Sequence, residues 1–413
     1  MWDLCVGVPC EGNHVDGGIG MMRTRMGLTG DEALAYAAKQ STVDVVSAYP
    51  ITPQTIMVEL FSEYVANGEV HTNFVCVESE HSAMSACVGA SLTGARVLTA
   101  TASQGLALMH EMLYIASGLR CPIVMGVANR ALSAPINIHG DHSDMMGSRD
   151  CGWIQIYCEN AQESYDWTLQ AFKIAEDPNV LLPVTVNLDG FILSHAMEGV
   201  EVLTDEEAKR FLPPRQLDCR LDPKKPATIG ALCLPDYYFE FKKQQEEAMK
   251  QVPPVLVKVT KEYESLTERK YGILDAYETR DAEVVLVCLG STAGTARYVA
   301  KELRAKGKKV GLVKLWLYRP FPMKEIANAI AGAKVVVALD RALSFGAPYG
   351  ALCQDIVSTM YASKSKPLIS NVIYGLGGRD ITPTEIASIY TEALAAASTG
   401  RLKEPVQFVG VRE

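Results

Sequence analysis

The sequence predicts an α/β protein of two domains, each a mostly parallel sheet covered by helices. Three observations lead there. The chain has 413 residues, more than one hydrophobic core ordinarily serves. Strand-length apolar runs alternate with helix-period segments in both halves, the pattern of parallel strands joined by crossover helices. Between the halves the alternation lapses from about Met197. There, prolines at 213, 214, 223, 226, 235, 253 and 254 and the charged run Lys242-Lys243-Gln244-Gln245-Glu246-Glu247 point to a long connection with some helix.

In the first half, Thr29-Gly30-Asp31-Glu32 is a capping box opening a helix through Ala38, and a strand follows around Val43–Ala48. Thr52-Pro53 predicts a second helix, with Thr at the N-cap and Pro at the first helical position, ending near Gly68. Phe74–Val77 reads as a strand, His81–Ala90 as a helix and Arg96–Ala100 as a strand. Ser103 can cap the next helix, whose Leu106, Met109, Met112, Leu113 and Ile115 form an apolar stripe. Pro122–Ala128 and Val180–Asn187 read as strands. The second half runs strand Glu283–Leu289, helix Ala293–Ala305, strand Lys309–Trp316, helix Met323–Ile330 and strand Lys334–Leu339. A further helix, a strand at Val372–Tyr374 and a helix opened by Thr382-Pro383 close it. The expected division is an N-terminal extension (1–22), a first domain (23–200), a connecting region (201–275), a second domain (276–400) and a C-terminal tail (401–413).

Composition narrows the function. With 48% hydrophobic and 21% charged residues the chain is globular, and a net charge of -9 argues against nucleic acid as a partner. No apolar run approaches the roughly 18 residues of a membrane helix; the best, Val284-Val285-Leu286-Val287-Cys288-Leu289, is strand-length. Residues 1–20 carry acids and glycines in place of a basic segment and an apolar core, so no secretory signal is expected, and Met21-Met22-Arg23 could be the natural start. Eleven scattered cysteines without a CxxC pair suggest a reducing cytoplasm and give no iron–sulphur signature.

In open parallel sheets ligands bind beyond the carboxyl ends of the strands. Four polar clusters fall at such places: Tyr49-Pro50-Ile51-Thr52-Pro53, Glu78-Ser79-Glu80-His81-Ser82, Thr101-Ala102-Ser103-Gln104-Gly105 and Ala128-Asn129-Arg130. His139-Gly140-Asp141-His142-Ser143-Asp144 is a fifth. Each also has a structural explanation. Thr52 and Ser103 are good helix caps, and an acid such as Glu80 is favoured in a first helical turn. Arg130, directly after a buried strand, needs a partner, which a salt bridge could supply. The residues His139, Asp141, His142 and Asp144 lack the spacing of a standard metal site, and Gly290-Ser291-Thr292-Ala293-Gly294 resembles a phosphate cradle without its full pattern.

At these clusters the sequence resembles the alpha subunits of the pyruvate:ferredoxin oxidoreductase (2-oxoacid:ferredoxin oxidoreductase) family, from about Met26 to Pro383. The strings Asp340-Arg341-Ala342-Leu343-Ser344-Phe345-Gly346 and Gly375-Leu376-Gly377-Gly378-Arg379-Asp380-Ile381-Thr382-Pro383 add to it. The resemblance implies a thiamine-diphosphate pyrimidine-binding first domain and a transketolase C-terminal-like second one. It gives Glu80 the role of the acid that hydrogen-bonds the pyrimidine ring, with Glu78 as fallback, and Thr52 and Arg130 that of holding the substrate carboxylate and carbonyl. Tyr49, Pro50, Ile51, Ser103 and Gln104 would line the cofactor. The implied reaction is oxidative decarboxylation of a 2-oxoacid, pyruvate favoured, with coenzyme A as co-substrate and electrons passing to ferredoxin.

The family's chemistry also implies what other chains must bring. The diphosphate's Mg²⁺ normally rests on a Gly-Asp-Gly…Asn signature, and here the nearest string is Gly140-Asp141-His142. A beta-type subunit would carry that site, and gamma and ferredoxin-like delta subunits the iron–sulphur clusters and the rest. Thr52 suits a monocarboxylate, although glyoxylate, 2-oxobutyrate, oxalate, 2-oxoglutarate and branched-chain 2-oxoacids stay open. The rival readings are a thiamine-dependent dehydrogenase or transketolase-type subunit and a non-catalytic scaffold subunit.

Overall fold

The computed structural model describes residues 23–215 and 220–412, so the extension expected over residues 1–22 lies outside the described residues. The chain begins β1 (Thr24–Leu28), α1 (Gly30–Gln40), β2 (Val45–Ala48), α2 (Thr55–Ala66), β3 (Asn73–Cys76) and α3 (Glu80–Leu92). It continues β4 (Val97–Thr101), α4 (Ser103–Leu108), α5 (His110–Gly118), β5 (Ile123–Asn129), α6 (Ser143–Gly147), β6 (Ile154–Tyr157), α7 (Ala161–Ala175) and β7 (Val184–Asp189). Then come β8 (Glu198–Val202), α8 (Asp205–Phe211), α9 (Pro235–Thr267), β9 (Leu274–Tyr277), β10 (Val284–Cys288), α10 (Thr292–Ala305) and β11 (Val310–Leu315). The rest is β12 (Leu317–Arg319), α11 (Met323–Ala329), β13 (Val335–Asp340), α12 (Ala351–Tyr361), β14 (Leu368–Ile373), α13 (Pro383–Thr399) and β15 (Val406–Phe408).

Two large sheets result. The first has the order β12-β6-β7-β5-β4-β2-β3, parallel except for β12, and the second β15-β14-β13-β10-β11-β9, parallel except for β9. A separate ribbon pairs β1 with β8 antiparallel. Helices α1, α2, α7 and α9 close one face of the first sheet, burying Leu34, Phe61, Trp167 and Leu256. Its other face shares a continuous core with the second sheet, in which Ile123 and Val127 lie with Val285, Val313 and Leu352. The outer face of the second sheet is covered by α10 and α13. Among the described residues no helix is long and apolar enough to cross a membrane.

The alternating α/β order predicted from the sequence is present, and the differences have physical causes. The capping boxes at Thr29 and Thr382 form as expected. Thr52 caps nothing: α2 begins at Thr55, because the buried Gln54 turns inward and its Nε2 donates to the Tyr49 and Ala100 carbonyls, both at 3.0 Å. Ser103 is the first residue of α4 rather than its cap, and the helix expected to follow breaks at Met109 into α4 and α5. The connecting region is dominated by one helix, α9, of 33 residues that runs through Pro253 and Pro254. Proline removes an N–H and crowds the preceding turn. Here Pro254 is exposed, while Val252, Val255, Leu256, Val259 and Tyr263 form a buried stripe that holds the helix on the core. The charged run from Lys242 to Glu247 is the solvated side of this helix rather than a break in it. Strand β15 falls within the stretch expected as a tail, and β12 leaves the second sheet to pair with the first.

Candidate functional site

Strands β2, β3, β4, β5 and β7 are parallel neighbours, so the loops after Ala48, Cys76, Thr101, Asn129 and Asp189 leave the same edge of the first sheet. This places the sequence-predicted clusters together. Glu80 opens α3, whose N-cap Ser79 accepts from the Ser82 N–H. The Glu80 side chain is buried and packs on Gly105: a Cβ built there would lie 2.6 Å from Glu80 Oε1 and 2.6 Å from Thr101 Oγ1. Glycine is therefore required where the first turn of α4 passes the acid. The hydroxyl of Thr101 is buried without a hydrogen-bond partner. Glu78, the fallback acid, is exposed and accepts from the Ser82 hydroxyl.

Arg130 lies at the end of β5 and is only 7% exposed. Its Nε donates to the Asn137 carbonyl and its Nη1 to the Thr52 carbonyl, both at 2.9 Å. These bonds aim the guanidinium along the loop that carries Thr52. What Thr52 lends to this network is its carbonyl, and its side chain stays exposed. The Ser103 hydroxyl lies 2.5 Å from the Ala131 carbonyl and 2.6 Å from Gln104 Oε1, with Ser103 itself at a positive φ of 47°. Of the remaining predicted residues, Tyr49 and Pro50 are exposed and Ile51 and Gln104 half-buried, all on the same rim.

Beneath these groups lies a carboxylate that the sequence did not single out on its own. Asp144 Oδ2 accepts the N–H of Ser103 and the N–H of Arg130, each at 2.9 Å, and its Oδ1 accepts Asn129 Nδ2 at 2.9 Å and the Met145 N–H at 2.7 Å. Burial pushes its carboxyl up to about 6, the donated hydrogen bonds offsetting this only in part.

The loop before it is pinned by the second sheet. His142 Nε2 lies 2.5 Å from Asp189 Oδ1, and Asp189 Oδ2 meets Arg341 Nη1 at 3.1 Å and the Ser291 N–H at 2.9 Å. Burial would raise the Asp189 carboxyl, but Arg341 and then His142 outweigh it and hold it well below the usual carboxylate range. The turn at Gly290-Ser291 is thus a cradle that already holds an anion, that of Asp189: a Cβ at Gly290 would meet it at 2.8 Å. Asp141 accepts from the Ser143 and Gly377 N–H groups. The acids and histidines of this loop therefore face separate partners. Gln54 and Asp189 sit in none of the sequence clusters, and a single buried-residue pattern gives no signal for them.

Gly105→Ala tests the fit at Glu80. The added methyl displaces the acid or Thr101, and where Glu80 has the role that the family resemblance implies, a shift of this size is expected to lower turnover about 10²-fold. Steady-state kinetics would show this, and wild-type kcat in the variant would mean that Glu80 does not need its present position.

Residues 36–261 match the family model described as pyruvate flavodoxin/ferredoxin oxidoreductase, thiamine diphosphate-binding, and residues 282–386 match pyruvate:ferredoxin oxidoreductase core domain II. The chain is 50% identical over 390 residues to pyruvate synthase subunit PorA of Thermotoga maritima, covering 94% of this chain and 98% of that one. It is 42% identical over 383 residues to ketoisovalerate oxidoreductase subunit VorA of Pyrococcus abyssi, covering 92% of this chain and 96% of the other. Its fold is similar to that of 2-oxoglutarate:ferredoxin oxidoreductase from Magnetococcus marinus, solved with 2-oxoglutarate, coenzyme A and succinyl-CoA bound. There the TM-score is 0.68 at 20% identity, over 90% of this chain and 65% of that chain.

Proposed function

The chain belongs to the pyruvate:ferredoxin oxidoreductase family and is an alpha-type subunit of a 2-oxoacid:ferredoxin oxidoreductase; from that premise we propose that pyruvate is its substrate and that Glu80, Thr52 and Arg130 do the work at this sheet edge. The observation that carries the reading is the convergence of Glu80, set against Gly105, with Arg130, bonded to the Thr52 loop. The residues fit thiamine diphosphate: a buried acid is seated against Gly105 at the strand-end edge, and the buried Thr101 hydroxyl beside it has no hydrogen-bond partner. When bound, the cofactor supplies the carbon nucleophile and the electron sink. Glu80 holds the proton exchanged with the pyrimidine ring. Arg130, with Nε and Nη1 already engaged by main-chain carbonyls, turns its remaining Nη2 to the substrate carboxylate, a charge-assisted bond. The exposed Thr52 hydroxyl orients the 2-oxo group. Tyr49, Pro50, Ile51, Ser103 and Gln104 form the walls of the cofactor site.

A single guanidinium with a small hydroxyl beside it suits a monocarboxylate, which favours pyruvate over oxalate or 2-oxoglutarate; the pyruvate synthase relative points the same way. The site is completed by another chain. Exposed apolar residues rim it (Tyr49, Leu108, Leu132, Ile136 and Ile138), and Asp141, the acid nearest to a diphosphate–Mg²⁺ string, is engaged with Ser143 and Gly377. In this reading a beta-type subunit brings the Mg²⁺ site, while gamma and ferredoxin-like delta subunits complete the complex with its iron–sulphur clusters. The complex hands electrons to ferredoxin and the acyl group to coenzyme A. We place it in the cytoplasm, a setting that accords with the eight described cysteines, all free thiols and six of them buried.

The test is anaerobic reduction of ferredoxin or methyl viologen by the natively purified complex, each 2-oxoacid supplied with and without coenzyme A. Coenzyme-A-dependent reduction with pyruvate in preference to the others is expected. Preference for a branched-chain acid would move the substrate, and reduction by none of the acids would overturn the reading.

A further inference from the structure

We propose that Asp144 is a positioning residue that sets the substrate-holding and cofactor-lining sides of the site relative to each other. The inference rests on the roles given above to Arg130 and Ser103. One oxygen, Oδ2, receives the N–H of both residues at 2.9 Å, although they follow different strands, β5 and β4. A single buried acceptor that bridges two strand ends fixes their relative height to within a hydrogen bond's tolerance. The other oxygen is held by Asn129 Nδ2 at 2.9 Å and the Met145 N–H at 2.7 Å, so the carboxylate cannot rotate to favour one strand over the other. It is only 3% exposed, and its partners are main-chain N–H groups and the Asn129 amide, so it acts through the groups that would meet substrate.

The segment that delivers Asp144 is itself anchored elsewhere. Asp141 takes the Gly377 N–H at 3.1 Å, the His142 N–H donates to the Arg341 carbonyl at 2.8 Å, and the His142 ring meets Asp189. All three anchors involve the second sheet, directly or through Asp189 and its Arg341 partner. Asp144 thereby links the second sheet's position to both Arg130 and Ser103, and Asn137, which accepts from Arg130 Nε and donates to the Gly377 carbonyl at 3.1 Å, gives Arg130 a second link. A carboxylate is required because all four contacts are donors: a carboxamide would turn an N–H against at least one of them.

The test uses the assembled complex with Asp144→Asn, Asn129→Ala and Arg130→Ala. Positioning predicts that Asp144→Asn raises the KM for 2-oxoacid tenfold or more and weakens thiamine diphosphate binding, read separately by quenching of intrinsic fluorescence. Asn129→Ala, which frees one side of the carboxylate without removing it, raises KM two- to fivefold with kcat held within threefold. A role confined to folding predicts a lower melting point and less active enzyme at an unchanged KM, and that result overturns the proposal. Should Asp144→Asn fail to assemble, an unchanged KM and cofactor affinity in Asn129→Ala overturns it equally. A raised KM in Arg130→Ala beside unchanged values in the other two sinks the positioning role alone, whereas a wild-type KM in Arg130→Ala removes the reading on which it stands.

Discussion

Replacing Glu80 with Gln in the reconstituted complex lowers turnover by about 10²- to 10⁴-fold, the range associated with loss of a positioned proton-transfer group. Glutamine fills the same volume against Gly105, so the packing that places the side chain survives and the capacity to take or give the proton does not. Binding of thiamine diphosphate is therefore expected to fall much less than kcat in Glu80→Gln, and both to fall in Glu80→Ala. Glu78→Gln is the internal control, because that carboxylate is exposed and bonded to Ser82, and it should leave turnover near wild type. A Glu80→Ala complex with full turnover would instead restore the view of this chain as a scaffold.

Arg130→Ala is expected to lower kcat/KM for pyruvate by roughly 150-fold, about 3 kcal/mol of lost charged hydrogen bonding. The side chain is nearly buried and two of its nitrogens are tied to the Asn137 and Thr52 carbonyls, so its loss leaves those acceptors unpaired as well. Arg130→Lys should recover only part of the activity, since an ammonium keeps the charge but cannot bond both carbonyls and a carboxylate in one plane. Steady-state kinetics on the three enzymes decides this, and unchanged kinetics with pyruvate in Arg130→Ala would remove Arg130 from substrate binding.

How much of this was legible in the sequence differs from residue to residue. Strand-end clusters were visible because apolar runs stop where polar residues begin, and this located Glu80, Ser103 and Arg130 on one edge. The capping pattern at Thr52-Pro53 misled, since the helix start was decided by the burial of Gln54, a tertiary event outside the local pattern. The prolines and charges of 242–254 looked like a linker because local propensity weighed more than the buried stripe that holds α9 together. The pairing of Asp189 with Arg341 joins residues 152 positions apart, and no spacing rule reaches that far. The resemblance to the family supplied the residues proposed to meet substrate, while the groups that hold them in place became apparent only with the fold.

The stretch from Val310 to Arg319 serves both sheets: its first part pairs with β10 and β9, and its last residues pair with β6. Between them the Trp316 carbonyl accepts the Tyr157 N–H at 2.9 Å, and below lies a core drawn from both sheets. Such a rivet opposes a swing of one half about the other. The halves are then expected to unfold in one transition under heat or denaturant, which coincident melting curves from probes in each half would show. Access to the site is accordingly expected from movements of loops or of a neighbouring subunit rather than from the opening of this chain like a clamshell.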